Sequence, residues 1–234
     1  MNNNNKTEHW HRRLVEKSGV VMAVITVVLI LVGTVVEIVP LLLTAPTAEQ
    51  QARIQPYSAL EQAGRDIYVR EGCYTCHSQH VRPFRSETLR YGIWSASEEY
   101  IHDRPFQLGS RRAGPDLHRI GKKYPDSWHY RHMDDPRATS PGSVMPRFSW
   151  LHTSKVDPAD IQASLGALQW AGTPYTDEDI ADVEASMKAQ GSVIVTNLAK
   201  AKIKAAHDDE IVALIAYLQS LGRHQRRPPT EASK

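Results

Sequence analysis

The 234-residue chain has only two cysteines, Cys73 and Cys76, and both lie in the stretch EGCYTCHSQH. A zinc site built from two Cys-x-x-Cys pairs is therefore excluded. None of the eleven histidines forms a pair with zinc-finger spacing, although a site of two cysteines and two histidines stays open by count.

The chain also lacks a strong excess of charge of either sign. It has 28 Lys and Arg against 26 Asp and Glu, for a formal net charge of +2. This balance gives no indication of nucleic-acid binding or of an acidic tail.

The two cysteines fit one chemistry better than the others. A thioredoxin-type dithiol begins a helix after a buried strand, whereas the residues before Cys73 have a helical pattern. A disulfide between residues three apart would close too short a loop to stabilise the fold much. The remaining interpretation is Cys-x-x-Cys-His, in which Cys73 and Cys76 attach a c-type haem and His77 binds its iron.

The stretch GVVMAVITVVLILVGTVV, residues 19–36, carries no charge, and IVPLLL follows Glu37. As an α-helix the uncharged run spans roughly 27 Å, close to the thickness of a bilayer core. We predict one transmembrane helix over residues 18–43. The cations that precede it are Lys6, Arg12, Arg13 and Lys17, and the next one is Arg53. This asymmetry predicts a cytoplasmic N-terminus and an external domain from about residue 44.

Two features of this segment have alternative interpretations. A cleaved signal peptide also begins with positive charge, but its apolar core is shorter and ends at a small-x-small site, for which LLLTAPTAEQ is a weak match. Glu37 either contacts a partner subunit at the outer end of the helix or simply reaches the membrane interface.

Helical patterns recur in the outer part. Residues 57–71 place Leu60, Gly64 and Ile67 on one face, where the small Gly64 allows a close helix crossing. Other predicted helices begin at Asp157-Pro158 and at a Thr176/Asp179 capping box. HDDEIVALIAYLQSLGRH is predicted to be a helix that is capped by Asp208 or Asp209 and stopped by Gly222. Residues 78–150 have no sustained period, and we expect them to wrap around a haem.

The sixth iron ligand must come from elsewhere in the chain. Met145 lies in SPGSVMPRFSW, a loop bracketed by prolines, where a core methionine is not expected. Met133 is the main rival, and a histidine ligand stays open. In AGPDL, the Pro115 carbonyl is a candidate acceptor for the second ring N–H of His77.

Together these motifs resemble class I cytochrome c. More specifically, VEIVPLLL, CYTCHSQHVRPF, LRYG, EEYIHDRPFQLGSRRAGPDLHRIG, YPDSWHYRH and SVMPRFSWL resemble the mono-haem subunit of cbb3-type cytochrome c oxidase, the FixO/CcoO family, over residues 9–222. Leu108, where an aromatic residue is expected, and the additional Met133 depart from the pattern without touching a ligand.

The resemblance implies a mainly α chain that has one transmembrane helix and a periplasmic cytochrome c-like domain with a long irregular insertion. It implies one covalent haem c held by Cys73 and Cys76, with His77 and Met145 as axial ligands. The implied location is the bacterial inner membrane, and the implied partners are a haem-copper catalytic subunit, a dihaem cytochrome c subunit and a soluble cytochrome c donor. With both axial positions filled, the haem would transfer electrons and leave oxygen reduction and proton pumping to the partner.

The predicted organisation has five parts. They are a cytoplasmic N-terminus (1–17), the transmembrane helix (18–43), a linker (44–56), the cytochrome domain (57–222) and a C-terminal tail (223–234). Two other functions compete, namely the membrane-anchored cytochrome of a nitric oxide reductase and a free-standing electron shuttle.

Overall fold

A computed structural model describes residue 11, residues 17–43 and residues 54–224. Within these residues the secondary structure is helical and contains no β-strand, only an isolated bridge between Lys155 and Asp209. The chain divides into two compact units, Met1–Glu49 and Gln50–Lys234. The mainly α fold class predicted from the sequence is confirmed.

The first unit contains helix α1, Gly19–Leu43, close to the predicted bounds of 18–43. Its stretch Gly19–Pro40 is long and apolar enough to cross a membrane. The side chains of residues 19–40, Glu37 included, are exposed, as expected for a helix that has no protein core around it. The predicted N-terminal segment (except His11 and Lys17), linker residues 44–53 and tail residues 225–234 lie outside the described residues.

The second unit contains eight α-helices among its described residues. They are α2 (Ala59–Arg70), α3 (Arg85–Tyr91), α4 (Asp126–Asp134), α5 (Pro136–Thr139), α6 (Pro158–Trp170), α7 (Asp177–Ala181), α8 (Val183–Lys200) and α9 (Glu210–Ser220). Short 3₁₀ turns occupy Cys73–Thr75, Ser97–Tyr100 and Ser149–His152.

Most of the predicted helix ends are confirmed, although Asp209 stands at the N-cap of α9 without a capping hydrogen bond from its side chain. Asp157 caps α6 by accepting from Ala159 N at 2.9 Å. Thr176 and Asp179 form the reciprocal capping box of α7. Gly222, at φ +81°, follows the end of α9 in the left-handed conformation that glycine adopts without strain.

Helices α2 and α9 cross at the centre of the second unit. A Cβ placed on Gly64 would lie 2.0 Å from the carbonyl oxygen of Ala213 and 2.7 Å from Tyr217 Cβ. The backbones therefore meet closely only because position 64 has no side chain, as predicted. The largest fully buried side chains around this crossing include Tyr68, Tyr217, Leu60, Leu151, Ile211 and Leu214.

Residues 78–150 are more helical than the sequence indicates, since they contain α3, α4 and α5. These helices span only 7, 9 and 4 residues, too few for a sustained apolar period to appear. The segment is fastened to α2 by a buried ion pair in which Arg65 Nε lies 3.1 Å from Asp103 Oδ1. It is therefore an ordered part of the fold.

Candidate functional site

The Cys-x-x-Cys-His segment forms a single tight turn directly after α2. Gly72 leaves the helix in the left-handed conformation, at φ +69°, and the 3₁₀ turn follows. The backbone oxygen of Cys73 accepts from Cys76 N at 3.2 Å and from His77 N at 3.0 Å. The turn thus brings both thiols and the imidazole onto one short piece of backbone.

Both cysteines are free thiols. The Cys76 side chain is exposed, whereas Cys73 is half-buried. Burial, with a smaller contribution from the charge of Glu71, raises the pKa of the Cys73 thiol to about 12. The Cys73 thiol is therefore protonated at neutral pH, and the pair does not form a disulfide in this structure.

The His77 ring is oriented by a backbone carbonyl. His77 Nδ1 lies 2.8 Å from Pro115 O, the contact that the sequence predicts. Because a carbonyl can only accept, Nδ1 must carry the proton, so Nε2 keeps its lone pair. Burial also lowers the pKa of His77, which favours the neutral form that binds metals.

Gly114 forms a cradle for the same ring. A Cβ at this position would lie 2.2 Å from His77 Cε1 and 2.7 Å from both ring nitrogens. The backbone of Gly114 is held by its N–H, which donates to Cys76 O at 3.0 Å. The prediction from AGPDL included the Pro115 carbonyl but not Gly114, whose lack of a side chain is the signal in the same motif.

Asp116 is a further residue that the sequence argument missed. Its carboxylate is buried and accepts from Ser78 Oγ at 2.6 Å, from His80 N at 2.7 Å and from His118 N at 2.9 Å. Three donors on both sides of one carboxylate lock the chain after His77 against the segment that carries Pro115. Asp116 therefore fixes the relative position of the ligand and its acceptor.

Leu108, the departure from the family pattern, contributes through its backbone. Its carbonyl accepts from Gln79 N at 2.8 Å, a contact that any side chain permits. The neighbouring Gly109, at φ +62°, passes so close to the ligand segment that a Cβ would lie 3.2 Å from Ser78 Cα. The glycine constrains this approach, and the leucine side chain does not.

Met145 lies in a loop that is held from the side of α4. Phe148 N donates to Met133 O at 2.8 Å, and Arg147 Nε donates to Asp134 O at 2.7 Å. The Met145 side chain is half-buried and packs against the core. A half-buried thioether on a fixed loop is a suitable iron ligand.

Met133 has a different environment. Its side chain is 8% exposed and belongs to the hydrophobic core, while its carbonyl holds the Met145 loop. The structure therefore assigns Met133 a packing position, which favours Met145 between the two sulfur ligands that the sequence leaves open.

The Met145 loop is also tied to the cysteine turn. Trp150 Nε1 donates to Glu71 Oε2 at 3.2 Å, and Glu71 lies two residues before Cys73. The other Glu71 oxygen accepts from Arg70, whose guanidinium makes a bidentate pair with Glu210 at 2.8 and 2.7 Å. One indole thus joins the loop of the candidate sixth ligand to the segment of the fifth.

Helix α4 carries two histidines, His129 and His132, that are candidates for a histidine as the sixth iron ligand. Burial first, and then repulsion by His77, lower the pKa of His132, so the two imidazoles lie within electrostatic range. His132 Nδ1 is 2.6 Å from Thr139 Oγ1, and its ring stacks on Trp128. His129 is fully buried, and its Nε2 has no hydrogen-bond partner among the described residues. His132 is thus the histidine to test against Met145.

The zinc and dithiol interpretations find no support in this geometry. In residues 11, 17–43 and 54–224, no three His, Cys, Asp or Glu side chains are grouped so that they could hold a metal ion. The cysteines follow the end of a helix, whereas a thioredoxin-type pair begins one. The arrangement brings together two free thiols, an oriented imidazole and a glycine that leaves room for the imidazole ring.

Comparison with known proteins places the chain in a family. A comparison with curated proteins finds no match. The model of the family described as cytochrome c oxidase, mono-heme subunit/FixO, matches residues 11–225, which is most of the chain and includes the whole candidate site. The family name implies one haem and membership of an oxidase complex. The chain therefore belongs to the FixO family of mono-haem cytochrome c oxidase subunits.

Proposed function

We propose that this chain is the electron-transfer subunit of a cbb3-type oxidase and passes electrons to a haem-copper catalytic subunit. In this proposal Cys73 and Cys76 attach one haem c through thioether bonds, and His77 and Met145 are its axial ligands. The catalytic subunit, a dihaem cytochrome c subunit and a soluble cytochrome c donor are the proposed partners. Oxygen reduction and proton translocation belong to the catalytic subunit.

The observation that carries this proposal is the orientation of His77. Its Nδ1–H faces Pro115 O at 2.8 Å, so the Nε2 lone pair is left for iron beside two free thiols. Pro115 thereby fixes the tautomer, and hydrogen bonding to a ligating histidine raises its basicity. Gly114 leaves room for the ring and Asp116 holds both segments together.

Bound haem with a histidine and a methionine ligand would supply a one-electron carrier with no open coordination position. The chain's own residues would keep both axial ligands in place while the iron gains or loses an electron. The proximal side is held by the Pro115 and Asp116 contacts, and the Met145 loop by the Met133 and Trp150 contacts. Little reorganisation then accompanies electron transfer.

Purification of the tagged full chain in mild detergent tests the proposal. A pyridine haemochrome spectrum should report haem c on this chain, together with haem b and copper from co-purifying subunits. A free-standing shuttle would purify alone, and a nitric oxide reductase would consume nitric oxide where an oxidase consumes oxygen. Absence of haem stain on this chain after denaturing electrophoresis would refute haem attachment.

Substitution of the sulfur residues identifies the sixth ligand. Met145→His should keep the haem attached but lower its reduction potential, because a second imidazole favours ferric iron relative to a thioether. Each ~59 mV is a tenfold change in the equilibrium constant of a one-electron couple. Met133→His is the matched control, and His132→Gln tests the histidine alternative. If Met145→His leaves the potential unchanged and one of the others shifts it, Met145 is not the ligand.

The proposed topology places α1 in the bacterial inner membrane, with the N-terminus in the cytoplasm and the haem domain in the periplasm. It is supported by the apolar stretch Gly19–Pro40 and by the charge asymmetry of the sequence. A reporter that is active only in the periplasm should work when it is fused after Lys234. Glu37, on the external half of α1, is then a candidate contact for the catalytic subunit, and Glu37→Ala should weaken recovery of the complex.

A further inference from the structure

A compact surface loop, residues 81–95, projects from the segment that follows His77. Its ends are joined by Ser95 N, which donates to Val81 O at 2.8 Å, and by Val81 N, which donates to Ser95 Oγ at 2.9 Å. Helix α3 lies inside the loop and ends at Gly92, at φ +114°. A loop with closed ends and its own helix presents its outer side chains in a fixed arrangement.

Glu87 anchors the loop from beneath. Its carboxylate is buried and accepts from Arg112 Nη2 at 2.8 Å, from Arg82 N at 2.9 Å and from Arg82 Nε. Arg112 also donates to Ser78 Oγ at 2.7 Å and to His80 O at 2.8 Å. The hydrogen bond from Arg112, above all, lowers the pKa of Glu87 to about 2, so the anchor keeps its charge at neutral pH. The loop is therefore fastened to the haem-attachment segment.

The outer face of this loop is unusually apolar for a protein surface. Phe84 is 57% exposed, Leu89 74% and Trp94 49%. The Trp94 backbone is itself held, because its carbonyl accepts from Arg119 Nη2 at 3.2 Å. Three large apolar side chains on one rigid loop mark a contact surface, whereas single exposed residues such as Trp170 do not.

The same face is cationic. Arg82, Arg85 and Arg90 are exposed, and the one acidic residue of the loop, Glu87, is buried and paired with Arg82 and Arg112. Among the ion pairs of the described residues none involves Arg85 or Arg90, and Arg90 lies over the Tyr91 ring at 5.2 Å. The surface is therefore complementary to an apolar patch that is flanked by carboxylates.

We propose that the outer face of loop 81–95 docks onto the haem-copper catalytic subunit, at a surface that offers apolar contacts beside acidic side chains. This inference rests on the proposed function, which supplies the partner subunits. Tryptophan and arginine are the residues that most often dominate protein interfaces, and rigid presentation reduces the entropy lost on binding. A membrane-surface segment would instead present one continuous apolar face, whereas here arginines alternate with the apolar residues.

Copurification from detergent-solubilised membranes tests the surface with the full chain. The triple variant Phe84→Ser, Leu89→Ser, Trp94→Ser should keep its haem stain and visible spectrum. The haem b and copper recovered per haem c should fall about tenfold or more, as expected when interface hot spots are removed. The charge variant Arg85→Glu, Arg90→Glu should give the same loss with every apolar side chain in place, so it decides the matter if the triple variant fails to fold.

The matched control is Trp170→Ser with Val193→Ser, which removes side chains that are 92% and 62% exposed elsewhere on the domain. It should leave copurification unchanged. If the loop variants also recover the catalytic subunit at the wild-type level, the proposed surface is wrong while the proposed function stands. Unchanged copurification, together with quenching by brominated phosphatidylglycerol in nanodiscs of a tryptophan signal that a Trp94→Phe variant lacks, would assign the loop to the membrane instead. A wild-type chain that brings no haem-copper subunit overturns both proposals.

Discussion

Gly114→Ala should displace His77, the proposed iron ligand, and leave the proposed thioether attachment of the haem intact. The added Cβ would lie 2.2 Å from His77 Cε1, whereas ordinary contact begins at 3.4 Å, so the ring must move by about 1.2 Å. The glycine backbone cannot retreat easily, because its N–H is bonded to Cys76 O at 3.0 Å. A shift of this size would break the contact between His77 Nδ1 and Pro115 O, now 2.8 Å long.

The substitution should displace His77 without unfolding the domain. Overpacking of one methyl group costs about 1–3 kcal/mol, and loss of a neutral hydrogen bond about 0.5–1.5 kcal/mol. Together these are smaller than the ~5–15 kcal/mol that stabilises a typical domain. The domain should therefore fold and form its thioether bonds, while the iron loses a properly placed imidazole.

Carbon monoxide binding measures this effect. Ferrous haem with two protein ligands excludes carbon monoxide, so in the chain separated from the catalytic subunit a new carbon monoxide difference spectrum should appear in Gly114→Ala and be absent from the wild type. Gly166→Ala in α6 is the control, because a Cβ there meets nothing within 4 Å and should stabilise the helix by about 0.5–1 kcal/mol. A Gly114→Ala protein with a wild-type spectrum and no carbon monoxide binding would refute the cradle argument.

Three further predictions concern the crossing of α2 and α9, the Met145 loop and the Glu87 carboxylate beneath loop 81–95. Gly64→Ala should destabilise the domain by ~3 kcal/mol or more, seen as lost haem-bearing protein or a lower melting temperature, because its Cβ would lie 2.0 Å from Ala213 O. Trp150→Phe should lower the pH at which the methionine-to-iron charge-transfer band disappears, since it removes only the hydrogen bond to Glu71, and Trp170→Phe should not. The pKa of Glu87 is lowered from 4.5 to about 2, so its contribution to stability is present above pH 4.5 and lost as pH falls towards 2. Glu87→Gln should abolish that part of the acid dependence in unfolding monitored by circular dichroism, and an unchanged acid profile would contradict the anchor.

Local signals in the sequence were sufficient for the long helices α1, α2, α6 and α9 and for the caps of α6 and α7. The α6 and α7 caps depend on residues within a few positions of each other, so chain order alone specifies them. The same holds for the apolar stretch of α1 and for the Cys-x-x-Cys-His turn, whose hydrogen bonds join neighbours. The sequence pattern did not predict the short helices α3 to α5, because they contain too few turns for an apolar period to be recognised.

The contacts that complete the site join residues far apart in the chain, and only the tertiary structure decides them. Trp150 meets Glu71 across 79 positions, and Asp116 meets Ser78 across 38. The sequence offered two methionines, Met133 and Met145, as candidates for the sixth iron ligand. Only the structure shows that Met133 is buried in the core, which favours Met145. Sequence also contained the apolar and arginine residues of loop 81–95, but only packing determined that Glu87 turns inward while Phe84, Leu89 and Trp94 face outward. The physical reason is that burial and ion pairing are properties of the folded surroundings, whereas caps and turns are properties of adjacent residues.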